Sequence, residues 1–275
     1  MEVTIADQGI FLLPTRLTPE QARERVLEQK FNVFGTLSKL LIRPKGEEIQ
    51  IGLSEFRYHP FWHAVGHKRF RFARRAQYRV SIAKEVQSVE IAGQAYAPSG
   101  GTIVLPGQED CLIEERNELF LDGLSSDAKD LSGYLQFDPQ AVGDGIGHDV
   151  ALVPPEVRAA DVIRRVLGDV LHPPSADKVL EETVAVPALN LYYRPVYAFE
   201  YRWESKGKRA VAEVDALTGE FRAAGSLFGE KLRKVLNRDV LFDIGGETLN
   251  LVVPGGAIAL KLTKAIADRR KAGPR

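Results

Sequence analysis

Two short aromatic segments, alike and 135 residues apart, limit the folds open to this chain more than any other feature. Residues 56–62 read Phe-Arg-Tyr-His-Pro-Phe-Trp, and residues 191–197 read Leu-Tyr-Tyr-Arg-Pro-Val-Tyr. The same offset carries Ala22, on a first helical stretch, to Val157, on a second. A recurrence of this kind decides how many units there are to fold. Each half reads helix, then an aromatic Tyr-x-Pro strand, then further strands. The expected fold class is therefore α+β, with two related helix-plus-antiparallel-sheet units. Proline has no N–H for a sheet ladder, so Pro60 and Pro195 predict an edge strand or a bulge in each half. Edge strands and exposed aromatics serve partner recognition, which makes Tyr58, Phe61, Trp62, Tyr192, Tyr193 and Tyr197 the candidate partner-binding residues.

Local signals place the helices. Thr18, Pro19 and Gln21 form a capping box with proline at the first helical position, and Ala22, Val26, Leu27 and Phe31 follow on one face. In the second half, Val157, Ala160, Ile163, Val166 and Val170 make a helical stripe that Pro173-Pro174 ends. Between the halves, residues 105–150 hold eleven acids against two bases, with frequent Gly and Ser. That composition reads as a loop-rich acidic connector. The expected organisation is a first unit at 1–104, the connector at 105–152, a second unit at 153–225 and a C-terminal helical extension at 226–275.

The second unit carries a family resemblance. Ala212-Glu213-Val214-Asp215-Ala216-Leu217-Thr218-Gly219-Glu220 resembles the closing signature of a PepSY domain, with Ala212 in place of the family's first Val. The motif suits a strand leaving into a tight turn, because Asp215 and Thr218 can bond nearby amides and Gly219 can take positive φ. The resemblance covers about residues 156–223. It implies a helix packed on an antiparallel sheet, of PepSY or cystatin kind, and a non-catalytic role in binding or restraining a partner. The first half lacks the signature over residues 86–96.

Charge and chemistry narrow the function further. Lys+Arg and Asp+Glu are 37 each, so no net field draws the molecule to nucleic acid or an anionic bilayer. The single cysteine, Cys111, excludes an internal disulfide framework and an all-Cys metal site. His59, His63 and His67 are weak metal candidates. On a strand they share one side but stand about 13 Å apart, too far for one ion. Lys68, Arg69, Arg71, Arg74 and Arg75 alternate with Phe70 and Phe72, a pattern that grips nucleic acid or simply marks an amphipathic strand whose charge the acidic segment can neutralise. Residues 143–149 are Gly-rich without a phosphate-loop lysine, and Asp144, His148 and Asp149 offer at most a weak cation site. No nucleophile elbow or zinc-protease motif occurs. No catalytic residue and no cofactor is expected.

Residues 261–275 carry six bases against one acid, beside an apolar stripe of Ile258, Leu262, Ala265 and Ile266. A helix there would lie on an anionic membrane or dock on the core. A lone thiol and no export signal point to the cytoplasm, including the inner face of the membrane. The leading expectation is a non-enzymatic binding or regulatory module with a protein partner. A peripheral membrane protein held by its basic C-terminal segment and a metal-dependent hydrolase are the alternatives.

Overall fold

The computed structural model describes residues 2–5, 8–29, 49–142, 151–168, 171–172, 174–224, 248–253 and 256–264. Its strands are β1 (Glu2–Ile5), β2 (Gln8–Leu12), β3 (Ile49–Ser81), β4 (Val89–Ile91), β5 (Gln94–Tyr96), β6 (Thr102–Asp122), β7 (Gln140–Ala141), β8 (Lys178–Trp203), β9 (Lys208–Asp215), β10 (Phe221–Ala224), β11 (Thr248–Val253) and β12 (Gly256–Lys264). Two α-helices occur among the described residues, α1 (Pro19–Glu28) and α2 (Ala159–Gly168). All strands but β4 and β5 belong to one mixed sheet of ten.

This overturns the expectation of two separate α+β units. The two Tyr-x-Pro segments do not build a sheet each; they pair with one another. β3 runs antiparallel to β8 from Ile49↔Trp203 to Ala73↔Lys178, with bulges after Ile51, Val65 and Arg71. On its other edge β8 meets β1 and β2 in parallel, then β9 antiparallel. β3 likewise meets β6 on its outer edge, from Phe61↔Asp122 to Ser81↔Thr102. Both strands are buried on both sides near their centres, as strands with a neighbour on each edge and cover on each face are. Their 33 and 26 residues far exceed an ordinary strand, and the bulges let the sheet twist along that length.

The acidic connector is also corrected. Residues 102–122 are a strand, β6, whose side chains alternate between half-buried and exposed. Its acids fall opposite the bases of β3, so the two charge runs are neighbouring strands. The C-terminal helical extension gives way to the β11–β12 hairpin. Ile258, Leu260 and Leu262 recur at every second residue, which is the strand period. Residues 226–247, the Gly-rich run and Ala265 onward lie outside the described residues. No helix among the described residues is long and apolar enough to cross a membrane.

The prolines sit neither on edge strands nor in bulges. Tyr58 faces Pro195 and Pro60 faces Tyr193 across the central ladder. Each proline falls where one outer neighbour leaves and the next begins. β8 is paired with β2 up to Tyr193 and with β9 from Val196. β3 bridges Leu152 at Tyr58 and joins β6 at Phe61. A missing N–H is tolerated at such a break.

Both helices pack on one side of the sheet. The predicted capping box of α1 is present, with Thr18 and Gln21 bonded reciprocally. Ala22 and Val26 then meet Tyr197, Tyr201 and Trp203, while α2 sets Val162, Ile163, Val166 and Leu167 against Trp62 and Ala64. Gly66 lies directly under α2, where a Cβ would stand 2.9 Å from the Val166 carbonyl oxygen. Gly66→Val should therefore lower stability by about 2 kcal/mol through overpacking. Gly133→Ala, where a Cβ meets nothing, should change it by less than about 0.5 kcal/mol. Urea midpoints of the two variants check this.

Candidate functional site

The centre of the sheet is a local two-fold. His59 pairs with Arg194, so Tyr58-His59-Pro60 lies antiparallel to Tyr193-Arg194-Pro195. On either side of this pair a strand ends in the same kind of turn, Asp122-Gly123-Leu124-Ser125-Ser126-Asp127 after β6 and Asp215-Ala216-Leu217-Thr218-Gly219-Glu220 after β9.

The two turns are built bond for bond alike. Asp122 Oδ1 accepts from the amides of Leu124 (2.9 Å) and Ser125 (3.2 Å), and Asp215 Oδ1 from Leu217 and Thr218 (both 2.9 Å). Ser126 and Gly219 take positive φ, at 59° and 76°. Gly123 N–H donates to Pro60 O at 3.0 Å and Ala216 N–H to Pro195 O at 2.9 Å. A helix arginine closes each turn: Arg165 of α2 donates to Ser126 O, and Arg25 of α1 to Gly219 O. Trp62 Nε1 donates to Val157 O at 2.9 Å, matched by the Tyr197 hydroxyl to Leu17 O at 3.2 Å. The roles read for Asp215, Thr218 and Gly219 from sequence are those seen here. The Asp122 turn is the counterpart that sequence reasoning missed, and Asp-x-Leu followed by Ser or Thr was its signal.

The two aspartates differ in their second oxygen. Asp215 Oδ2 accepts from the Tyr134 hydroxyl at 2.6 Å and Arg194 Nη1 at 2.8 Å, with the Asp215 side chain 1% exposed. Asp122 Oδ2 accepts from Lys129 Nζ at 2.7 Å, and its side chain is 15% exposed. Beside them, buried Arg57 is paired with Glu213, and His59 Nε2 stands 3.5 Å from the same carboxylate oxygen. Arg57 Nε and His59 Nε2 make no hydrogen bond. Five charged side chains and one tyrosine are thus gathered around His59: Arg57, Arg194, Glu213 and Asp215 by the register of β3, β8 and β9, Asp122 by the end of β6 and Tyr134 by the helical turn at Ser132–Gln136.

Electrostatics sets their protonation. Burial pushes the His59 imidazole down to about 4, with nearby Arg194 and Arg57 adding to this and Glu213 and Asp122 opposing it. Burial alone would raise Asp215, but the Tyr134 hydrogen bond, the Arg194 charge and the Thr218 amide outweigh it and hold the carboxyl below its ordinary range. Tyr134 is pushed up to about 12, by burial first and then by the Asp215 charge, and so remains a donor. Every acceptor position of Asp215 is occupied and His59 is neutral at pH 7. The cluster holds three strands and a turn together; it offers no base poised near neutrality.

The other candidate residues are distributed as follows. Phe61, Trp62, Tyr192, Tyr193 and Tyr197 are buried and Tyr58 is half-buried, so these aromatics are interior packing and not an exposed recognition edge. Phe61 and Tyr192 stack at 5.3 Å under Leu13, Leu131 and Tyr134. The basic residues are each matched by an acid: Lys68 with Glu115 (3.6 Å), Arg69 with Glu114 (2.8 Å), Arg71 with Asp110 (2.7 Å), Arg74 with Glu109 (2.5 Å) and Arg75 with Asp177 (3.9 Å). Lys68 is buried and also donates to His172 O at 2.9 Å.

His59, His63 and His67 lie along β3 as a strand requires. His63 Nε2 meets Glu118 at 2.7 Å and stacks on Phe120. Among the described residues no three His, Cys, Asp or Glu side chains gather as a metal site. A shallow groove of about 560 Å³ lies along β6 between Glu118, Phe120, Lys129 and Asp130. Compared with known proteins, the chain matches no family model, no curated protein and no solved structure.

Proposed function

We propose that this protein is a non-enzymatic binding module for a protein partner, and that its recognition element is the β3–β6 ribbon. Beyond Ala73 the strand β3 has left β8 behind, while its pairing with β6 continues to Ser81. Beyond the Arg75–Asp177 contact, residues 76–81 and 102–107 are thus a two-stranded arm that β8 does not reach, tipped by the β4–β5 hairpin. Of nine large apolar side chains that are exposed among the described residues, seven lie on this arm or at its root: Tyr78, Val80, Ile91, Val104, Leu112, Val179 and Leu180. That concentration along one ribbon, with Tyr78 and Val80 on one face and Val104 and Leu112 on the other, is the observation carrying the proposal, since exposed apolar surface beyond scattered single residues marks interaction sites. The fully bonded Asp215 carboxylate and the neutral His59 beside it support a binding role over a catalytic one. So does the PepSY-like turn, whose family resemblance implies restraint or binding of a partner.

The test is a trimmed chain in which Asn-Gly replaces residues 76–107, joining the paired residues Arg75 and Gln108 by a two-residue turn and removing Tyr78, Val80, Ile91 and Val104. The trimmed chain should melt within about 2 °C of the intact one, because the arm, its buried Ile103 included, joins none of the three core clusters. From native lysate, the intact chain should retain a protein that the trimmed chain recovers at least roughly tenfold less. Identical sets of retained proteins would overturn the proposal.

A further inference from the structure

The outer edge of β6 points to the chemistry of the partner. From residue 103 to 116 that edge pairs with no strand among the described residues; the bridges Ser99↔Thr102 and Leu121↔Ala128 touch only its ends. An open edge of this length is a template for another strand. Its middle reads Glu109-Asp110-Cys111-Leu112-Ile113-Glu114-Glu115, two acids, three apolar or thiol residues and two acids. Cys111 and Ile113 pack partly against the core, while Leu112 is 53% exposed.

The inner edge of the same strand already displays its complement. Residues 68–74 of β3 set Lys68 against Glu115, Arg69 against Glu114, Phe70 against Ile113, Phe72 against Cys111 and Arg74 against Glu109. Carboxylates at the edge of a ribbon are approachable from the outer side as well, and an added strand brings its cations from there. A second copy of this chain is a poor occupant. Antiparallel self-pairing centred on Leu112 would oppose Glu109 to Glu115 and Asp110 to Glu114, and like charges directly opposite are unfavourable.

We infer that the outer edge of β6 receives an extended basic segment of the partner by strand addition, with Lys or Arg opposite the two acid pairs and apolar residues opposite positions 111–113. This rests on the binding reading above and names its partner's chemistry.

The probe is a labelled synthetic peptide with the sequence of residues 68–74, Lys-Arg-Phe-Arg-Phe-Ala-Arg, titrated into the full chain and followed by fluorescence anisotropy and hydrogen exchange. Binding should weaken at least roughly tenfold when its bases are replaced by glutamate, and again when salt is raised from about 0.05 to 0.5 M. N-methylation of alternate peptide amides should abolish it. Amide exchange should slow over residues 103–116 and stay unchanged in β10 and β11. Equal binding of the acidic peptide, protection at another edge, faster exchange in β3 through displacement, or β6 protection from self-association without peptide would each overturn the inference. The trimmed chain keeps residues 108–116, and with them the stretch from Glu109 to Glu115, so the two failures separate. Loss of peptide binding with arm-dependent capture intact sinks only the strand-addition inference, and the reverse sinks only the arm's role.

Discussion

Replacing Asp215 by alanine should cost about 3–5 kcal/mol of unfolding free energy, the scale for leaving a buried ion without its partner. The change removes the counter-charge of buried Arg194, the acceptor of the Tyr134 hydroxyl and the cap of two turn amides at once. Asp122 occupies the equivalent turn, but Lys129 can turn to water when the carboxylate is lost. Asp122→Ala should cost only about 1–2 kcal/mol, mainly for its two amide bonds. Denaturant unfolding of both variants at pH 7 checks the contrast. Equal losses would show that burial of the Arg194–Asp215 pair does not govern this site. Asp215→Asn should fall between, since it preserves an oxygen for the Leu217 and Thr218 amides and removes the charge.

The second large effect is on pH. His59 in the folded chain binds its proton only near pH 4, whereas an unfolded histidine does so near pH 6.5. Between those values the unfolded state carries the extra proton, so stability rises with pH across the window. The contribution is complete above about pH 6.5 and is lost progressively as pH falls toward 4, a swing of about 3 kcal/mol in all. Burial of the ring is the main reason the folded state resists the proton; Arg194 and Arg57 add to it, against Glu213 and Asp122. Asp215, with its lowered pKa, contributes stability that is lost only below the ordinary carboxylate range. Urea midpoints measured from pH 7 to 4.5 should fall for the natural chain and change much less for His59→Gln. A parallel fall in both would place the acid sensitivity elsewhere.

Three features were legible in the sequence for one reason: each depends on residues close together in the chain. The α1 capping box lies within four residues of sequence, the stripe of α2 within about three turns, and the Asp215 turn within six residues. The charge runs of residues 68–75 and 109–118 were equally visible, but their relation was not. A strand whose acids alternate with Cys111, Ile113 and Leu119 looks like a polar linker until a basic strand is laid beside it. The aromatics of the Tyr-x-Pro segments were read as an exposed edge because proline disfavours a sheet interior. The break between outer neighbours, which makes room for Pro60 and Pro195, is set by β2, β6 and β9 from distant parts of the chain.

Sequence by itself determined where α1 and α2 form, where the Asp215 turn closes and which segments carry charge, since caps, periodicity and φ preferences act over a few residues. Only the tertiary structure decided that β3 and β8 face each other with His59 against Arg194. That register gathers Arg57, Glu213 and Asp215 out of water and leaves β6 with an open flank. Register is a collective choice: sliding one strand by a single residue turns all its side chains to the opposite side of the sheet, and the burial of whole faces, summed over the long central ladder, selects one alignment.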